Sequence, residues 1–245
     1  MFINSYRLKL RAVSFHRMDQ SVFHFINQQW TGPALDVFMA ALSDSEIWEP
    51  LFVAIGISAL FLGEFRARAF VISLVLSLVI TSQVTGSLKS AVDRKRPKQV
   101  ESVRMVQLQR TRPAFLTLLK KTTIRFSDAS DRNRSGPSFP SGHMSTNTVI
   151  AVFCTMFYRR WGRLYWFVAA AVGYSRIYLG AHWPSDVIAT FFLAGGEALL
   201  LLGLFELAWK RAAPKLAPQL FARHPSLIAD PYDAARSPDA PQHSS

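Results

Sequence analysis

The chain has 245 residues, 50% of them hydrophobic and 18% charged, with 28 Lys or Arg against 16 Asp or Glu and a single cysteine. Cys154 has no second cysteine to pair with, which excludes an intrachain disulfide, and the apolar residues gather in long runs with little charge inside them, the mark of a multi-span membrane protein. A net charge of +12 would suit nucleic acid in a soluble chain, but there is no zinc-finger spacing, no RNP-like motif and no basic helix free of an apolar run, so the partner implied is an anionic lipid surface and not nucleic acid.

Residues 1–17 carry Arg7, Lys9, Arg11 and Arg17 but lack the apolar core and cleavage site of a signal peptide, so this basic N-terminus is expected to be retained. Residues 19–43 place apolar side chains at helical spacing, interrupted near Gly32-Pro33, yet also hold His24, Asn27, Gln28, Gln29 and Asp36. That polar content predicts an interfacial helix pair, with a span shielded by its neighbours as the alternative. Residues 1–45 thus precede a main membrane domain at 46–211.

Within that domain, spans are predicted at 46–63, 70–88, 143–158, 164–181 and 184–209. With residues 19–43 as the optional sixth, the fold class is an all-α polytopic bundle of five to six spans. The second is the clearest, since about 19 residues at ~1.5 Å each match a ~30 Å hydrocarbon layer. If the five alternate, the basic clusters at 64–68, 159–163 and 210–211 fall on one side and read as cytoplasmic. Lys89, Arg96, His143, Arg176, His182 and Asp186 then collect at the opposite, extracytoplasmic face of the cytoplasmic (inner) membrane.

Residues 98–139 form a connection on that face longer than loops without function usually are. From Asp93 to Arg134, twelve Lys or Arg accompany only four carboxylates. The part from Pro113 to Phe126 is expected to be an amphipathic helix, with Phe115, Leu118 and Leu119 towards lipid tails and Lys120, Lys121 and Arg125 towards anionic headgroups; a solvated basic loop is the alternative. Residues 212–245 contain six prolines in 34 positions, which predicts a disordered cytoplasmic tail.

Three short motifs carry the chemistry. Lys89 and Arg96-Pro97 stand about two helical turns apart, so both cations can project from one face at the end of the second span and hold phosphate oxygens. Pro140-Ser141-Gly142-His143 reads as a helix start, with Ser141 capping, Gly142 permitting close backbone approach, and free N–H groups to receive an anion. Ser175-Arg176 is followed by His182 and Asp186. If Pro184 opens a helix, the last two share its first turn, and the carboxylate can fix the imidazole tautomer and leave the other nitrogen as a nucleophile. Each motif alone has a plainer reading, as a snorkelling cation, a helix cap or an interfacial anchor.

Together, Lys-x6-Arg-Pro, Pro-Ser-Gly-His and Ser-Arg-x5-His-x3-Asp resemble the signature of the type 2 phosphatidic acid phosphatase superfamily, which also holds bacterial acid phosphatases and vanadium haloperoxidases. The motifs are complete and in the family's order, and the resemblance spans roughly residues 51–209. It implies an integral membrane phosphatase acting on a lipid phosphate or diphosphate, such as undecaprenyl diphosphate, phosphatidylglycerophosphate, phosphatidic acid or lipid A. It also implies that Lys89, Arg96, Ser141, Gly142 and Arg176 bind phosphate and that His182 attacks phosphorus. Asp186 would orient His182, and His143 would protonate the leaving oxygen and then activate water. No cofactor and no metal are expected, because Lys89, Arg96 and Arg176 supply the charge a metal would bring. A phosphotransferase passing the group to another lipid fits the same motifs, and a non-catalytic transporter is the rival from a different class.

Overall fold

The computed structural model describes residues 17–228; the expectations for residues 1–16 and for the end of the tail lie outside it. Helix α1 (17–24) runs into a π-helical turn, Phe25–Gln29, and a break at 30–32 leads to α2 (Pro33–Ser43). The main helices are α3 (Ser45–Leu62), α4 (Phe65–Val92), α7 (Gly142–Gly162), α8 (Tyr165–Tyr178) and α9 (Pro184–Leu216). Two short helices, α5 (Pro97–Val100) and α6 (Ala129–Arg134), lie in the long connection, and α10 (Pro218–Arg223) follows α9.

Among the described residues, three helices are long and apolar enough to cross a membrane: α3, α4 with the residues after it, and α9. The ranges of the other two expected spans are occupied by α7 and α8, of 21 and 14 residues. Helix α7 is interrupted at Arg159 (φ 41°), next to the expected span end at Tyr158. The 11 residues of α2 rise only ~16 Å, short of a ~30 Å hydrocarbon layer.

The packing inverts the soluble pattern. Helix α4 turns Ser73, Ser77, Thr81 and Thr85 inward, four apart and so on one face, while Ile72, Val75, Leu76 and Val79 are exposed. Small hydroxyl residues let α4 approach α7 and α9 closely, and the bulky apolar side chains are left for lipid. Helix α3 buries only 6% of its apolar window, consistent with a peripheral, lipid-facing position. One apolar cluster joins Val149, Val152, Phe153 and Phe157 of α7 to Ala194, Ala198 and Leu202 of α9. A second, nearer the motifs, joins Phe23, Met39, Val103, Met144, Tyr178, Trp183 and Val187.

Three expectations are corrected. The fold is helical but not purely so: strands β1 (Arg104–Leu108) and β2 (Thr122–Phe126) form an antiparallel hairpin with Val106 opposite Ile124. The expected amphipathic helix at 113–126 is therefore a 3₁₀ turn (Ala114–Leu119) followed by β2. Arg125, assigned above to headgroups, instead donates to Asp131 at 2.6 and 2.9 Å. The tail is ordered through Ile228: Trp209 Nε1 donates to the His224 carbonyl (2.9 Å), His224 stacks on Phe65 (4.2 Å), and Leu227 N donates to Glu206 (2.8 Å).

Two of the polar residues that argued against a span at 19–43, Asn27 and Asp36, are buried partners of one loop arginine, Arg104. Arg104 of β1 donates to both oxygens of Asp36 (2.8 and 2.7 Å), which also accepts from the Tyr178 hydroxyl (2.5 Å). Asn27 accepts from Arg104 N (3.1 Å) and donates to the carbonyls of Arg104 (2.9 Å) and Tyr178 (2.7 Å). This network clamps the hairpin to α1, α2 and α8.

Candidate active site

The C-terminal ends of α4 and α8 and the N-terminal ends of α7 and α9 meet at one end of the bundle. Thr85 donates to Ser145 (3.3 Å), and Ser141 N donates to Thr190 Oγ1 (3.0 Å), joining α4 to α7 and α7 to α9. All eight residues expected to act lie here.

His182 is placed by the end of α8. Gly180, at φ +71°, follows the helix in the left-handed conformation. Its N–H donates to Ile177 O (3.0 Å) and that of Ala181 to Arg176 O (3.0 Å), the paired bonds of a Schellman cap. A Cβ at Gly180 would lie 2.8 Å from Val103 Cγ2, so both the turn and the hairpin require glycine. The Arg176 carbonyl also accepts from His182 N (3.2 Å), fixing the histidine relative to the arginine. Pro184 then opens α9 as expected.

Asp186 is fully buried and does not reach the His182 ring among the described hydrogen bonds. Its Oδ2 accepts from Ser138 Oγ (2.5 Å) and Trp183 N (3.1 Å), and Oδ1 accepts from Arg94 (2.6 Å). The cause is local: as the third residue of α9 it folds back over the helix start, and Ser138 fills the gap. The Ser138 hydroxyl stands 3.5 Å from His182 Nδ1. Ser138 N donates to the Arg94 carbonyl (2.6 Å). Arg94 in turn donates to Asp19 (2.7 Å) and Ser185 (2.8 Å). Ser138, Arg94 and Asp19 thus complete a network that the motif reading passed over. Ser138 lies two positions ahead of Pro140 and Arg94 inside the first motif, whereas Asp19 carries no local signal.

The cations converge by a different route from the one expected. Helix α4 stops at Val92, with Asp93 left-handed (φ 43°), and Pro97 disfavours helix at Arg96. Arg96 therefore arrives on a turn and not on the helix face of Lys89. Its guanidinium donates to the carbonyls of Gly136 (2.9 Å) and Ala181 (3.3 Å). Lys89, Arg96 and Arg176 are close enough to repel one another, and all three act on both His143 and His182.

Ser141 precedes α7 as expected but caps nothing: its hydroxyl is buried without a hydrogen bond, as is Nε of Arg176. The first N–H groups of α7 have no acceptor within the helix, and a Cβ on Gly142 would stand 4.0 Å from Lys89 Nζ. These donors and the three cations lie together at this end of the bundle. His143 Nε2 lies 3.1 Å from the Ser43 carbonyl, which accepts its proton and leaves Nδ1 unengaged among the described hydrogen bonds.

His182 is 2% exposed. Burial, and then the charges of Arg96 and Arg176, push its imidazole well below the ordinary histidine range. It is neutral near pH 7, with Nδ1 turned to Ser138. No group of three His, Cys, Asp or Glu side chains that could hold a metal ion occurs among the described residues.

The family model described as PAP2 superfamily matches residues 70–210. Lipid A 4'-phosphatase of Bacteroides thetaiotaomicron is 27% identical over 169 residues, 66% of this chain and 66% of its own length. Undecaprenyl-diphosphatase of Sulfolobus acidocaldarius is 29% identical over 175 residues, 71% of each. This chain thus spans about two thirds of the length of these two curated relatives. Among solved structures, LpxE of Aquifex aeolicus superposes with a TM-score of 0.54 at 22% identity, over 75% of this chain and 94% of that one. The PAP2-type phosphatidylglycerolphosphate phosphatase of Bacillus subtilis gives 0.55 at 20% identity, over 79% and 87%. These last two likenesses concern the fold. With its family match covering more than half of its length, the chain belongs to the PAP2 superfamily, as a multi-pass membrane protein and a phosphoric ester hydrolase.

Proposed function

We propose that the chain is a lipid phosphatase that hydrolyses a lipid phosphate or diphosphate through a phosphohistidine, without a metal, at the extracytoplasmic face of the inner membrane. The observation that carries this is the convergence of Lys89, Arg96, Arg176 and the unpartnered Ser141 hydroxyl on two histidines. The substrate's terminal phosphate sits among these donors, which stabilise its charge as it becomes five-coordinate.

Nε2 of His182 attacks phosphorus while the bond from phosphorus to the lipid-side oxygen breaks. That oxygen keeps the electron pair and takes the Nδ1 proton of His143 in its protonated form, while Nε2–H stays on the Ser43 carbonyl. The cation left on His182 is met through Nδ1–H by Ser138, whose hydroxyl is polarised by Asp186. The 3.5 Å contact between Ser138 and His182 is of the long kind that tightens when substrate binds. A water then loses a proton to His143 and attacks the phosphohistidine, the P–N bond breaks back to Nε2, and inorganic phosphate leaves.

The curated relatives, a lipid A 4'-phosphatase and an undecaprenyl-diphosphatase, are both named for removing phosphate from a lipid. We favour undecaprenyl diphosphate or a glycerophospholipid phosphate such as phosphatidylglycerophosphate or phosphatidic acid. The test is phosphate release by the purified protein from a panel of these lipids, with and without an acceptor lipid. Phosphate released into water supports hydrolysis; radiolabel passed to the acceptor instead would make the enzyme a phosphotransferase.

A further inference from the structure

Beside His143 lies an open cleft of about 490 Å³ that the chemistry above leaves unused. One wall is the junction of α2 and α3, with Ser43 and Asp44; the other is the end of β1, with Gln107 and Arg110; His143 and Arg176 form the side shared with the phosphate site. We propose that this cleft receives the leaving group and that Arg110 binds a second phosphate carried next to the scissile one.

The inference rests on the phosphatase reading, which sets the direction. Attack by His182 pushes the leaving group out on the side of His143, and His143 lines this cleft. A substrate that leaves as a bare lipid alcohol would gain from apolar walls there. The walls are instead mostly polar, and they carry an arginine whose side chain is 64% exposed. Arg110 reaches across the cleft from the hairpin to the start of α3, where it pairs with Glu46 and lies 3.8 Å from Asp44. An exposed pair of this kind contributes little and exchanges readily, whereas a phosphate matches the guanidinium fork with two charge-assisted bonds. Asp44 and Glu46 hold Arg110 over the cleft until substrate replaces them.

The substrate class is therefore a lipid that keeps a phosphate after hydrolysis. A diphosphate lipid qualifies, and so does a glycerophosphate headgroup joined to its lipid by a phosphodiester. Both present a second phosphate oxyanion to Arg110, a monoester in one case and a diester in the other, and phosphatidic acid and isoprenyl monophosphates do not.

Matched pairs test this: isoprenyl diphosphate against isoprenyl monophosphate, and phosphatidylglycerophosphate against phosphatidic acid, as ratios of kcat/KM. The wild type should prefer the first member of at least one pair. Arg110→Gln should lower that ratio about tenfold, the scale of one charge-assisted contact, and Arg110→Lys should restore part of it. Glu46→Gln, which removes the same ion pair while keeping the arginine, should hold or raise the ratio. A drop confined to one pair identifies the source of the second phosphate. An active wild type without preference in either pair, an unchanged ratio in Arg110→Gln, or an equal drop in Glu46→Gln would overturn the assignment and leave the phosphatase reading standing. A protein inactive on every phosphate ester would overturn both.

Discussion

Ser138 donates its hydroxyl to Asp186 across 2.5 Å, so the carboxylate expected to touch the candidate nucleophile acts on it through a serine. A hydrogen bond to a charged group is worth about 1.5–3 kcal/mol. Ser138→Ala should therefore lower kcat by roughly ten- to a hundredfold with little change in KM. Asp186→Asn should do the same, and the double variant should be no slower than the worse single one, since the two residues form one unit. Steady-state kinetics on a soluble phosphate ester check this; additive losses would mean that Asp186 reaches His182 by another path.

The pH dependence has a definite sign. Because burial and the neighbouring cations lower the His182 pKa, the ring stays neutral below the ordinary value of ~6.5. The acid limb of kcat/KM, set by the group that must be unprotonated in the free enzyme, should lie below that value. Arg96→Gln removes one repelling charge and should move the limb upward even as activity falls. The same shift makes stability decline as pH drops from ~6.5 towards the folded value, where the unfolded chain takes up a proton that the folded ring refuses. An acid limb at or above the ordinary histidine value would contradict the burial argument.

The motifs were legible because each is a run of neighbours whose spacing survives in the fold: Pro184 opens α9, Ser141 precedes α7, and Arg176 and His182 share one turn. What the spacing does not encode is which atoms meet. Ser138 and Asp186 are 48 positions apart, and Asp19 and Ser185 are 166 apart, so no local pattern joins them. The loop misled for a different reason. Phe115, Leu118 and Leu119 have helical spacing, but the β-branched run Thr122-Thr123-Ile124 prefers a pleated strand and Pro113 closes off a helix continuing from upstream. Asn27 and Asp36 argued for an interface because their partner, Arg104, lies far along the chain.

The clamp of Arg104 on Asp36 should be the costliest surface-side feature to break. Asp36→Ala strands a buried guanidinium and removes the acceptor of Tyr178, a loss of about 3–5 kcal/mol. Thermal unfolding in detergent should show a clear fall in Tm. Activity on a soluble ester, measured well below that transition, should persist, because Asp36 touches neither histidine. An unchanged Tm would mean that the hairpin is held elsewhere.

With Lys89, Arg96 and Arg176 supplying the positive charge, chelation should leave activity intact. Vanadate, a phosphate mimic able to become five-coordinate, should inhibit, and Arg176→Gln should weaken that inhibition along with substrate binding. Activity lost to EDTA and restored by Mg²⁺ would contradict the cation-only site.

The most direct measurement is trapping of the phosphoenzyme with radiolabelled substrate and rapid quenching. The wild type should show transient label that is lost in acid and kept in alkali, as a phosphohistidine is. His182→Ala should show none. His143→Ala, given a substrate with a good leaving group, should accumulate label because water is no longer activated. Label retained by His182→Ala at wild-type stoichiometry would contradict the account, since the nucleophile would then be another residue.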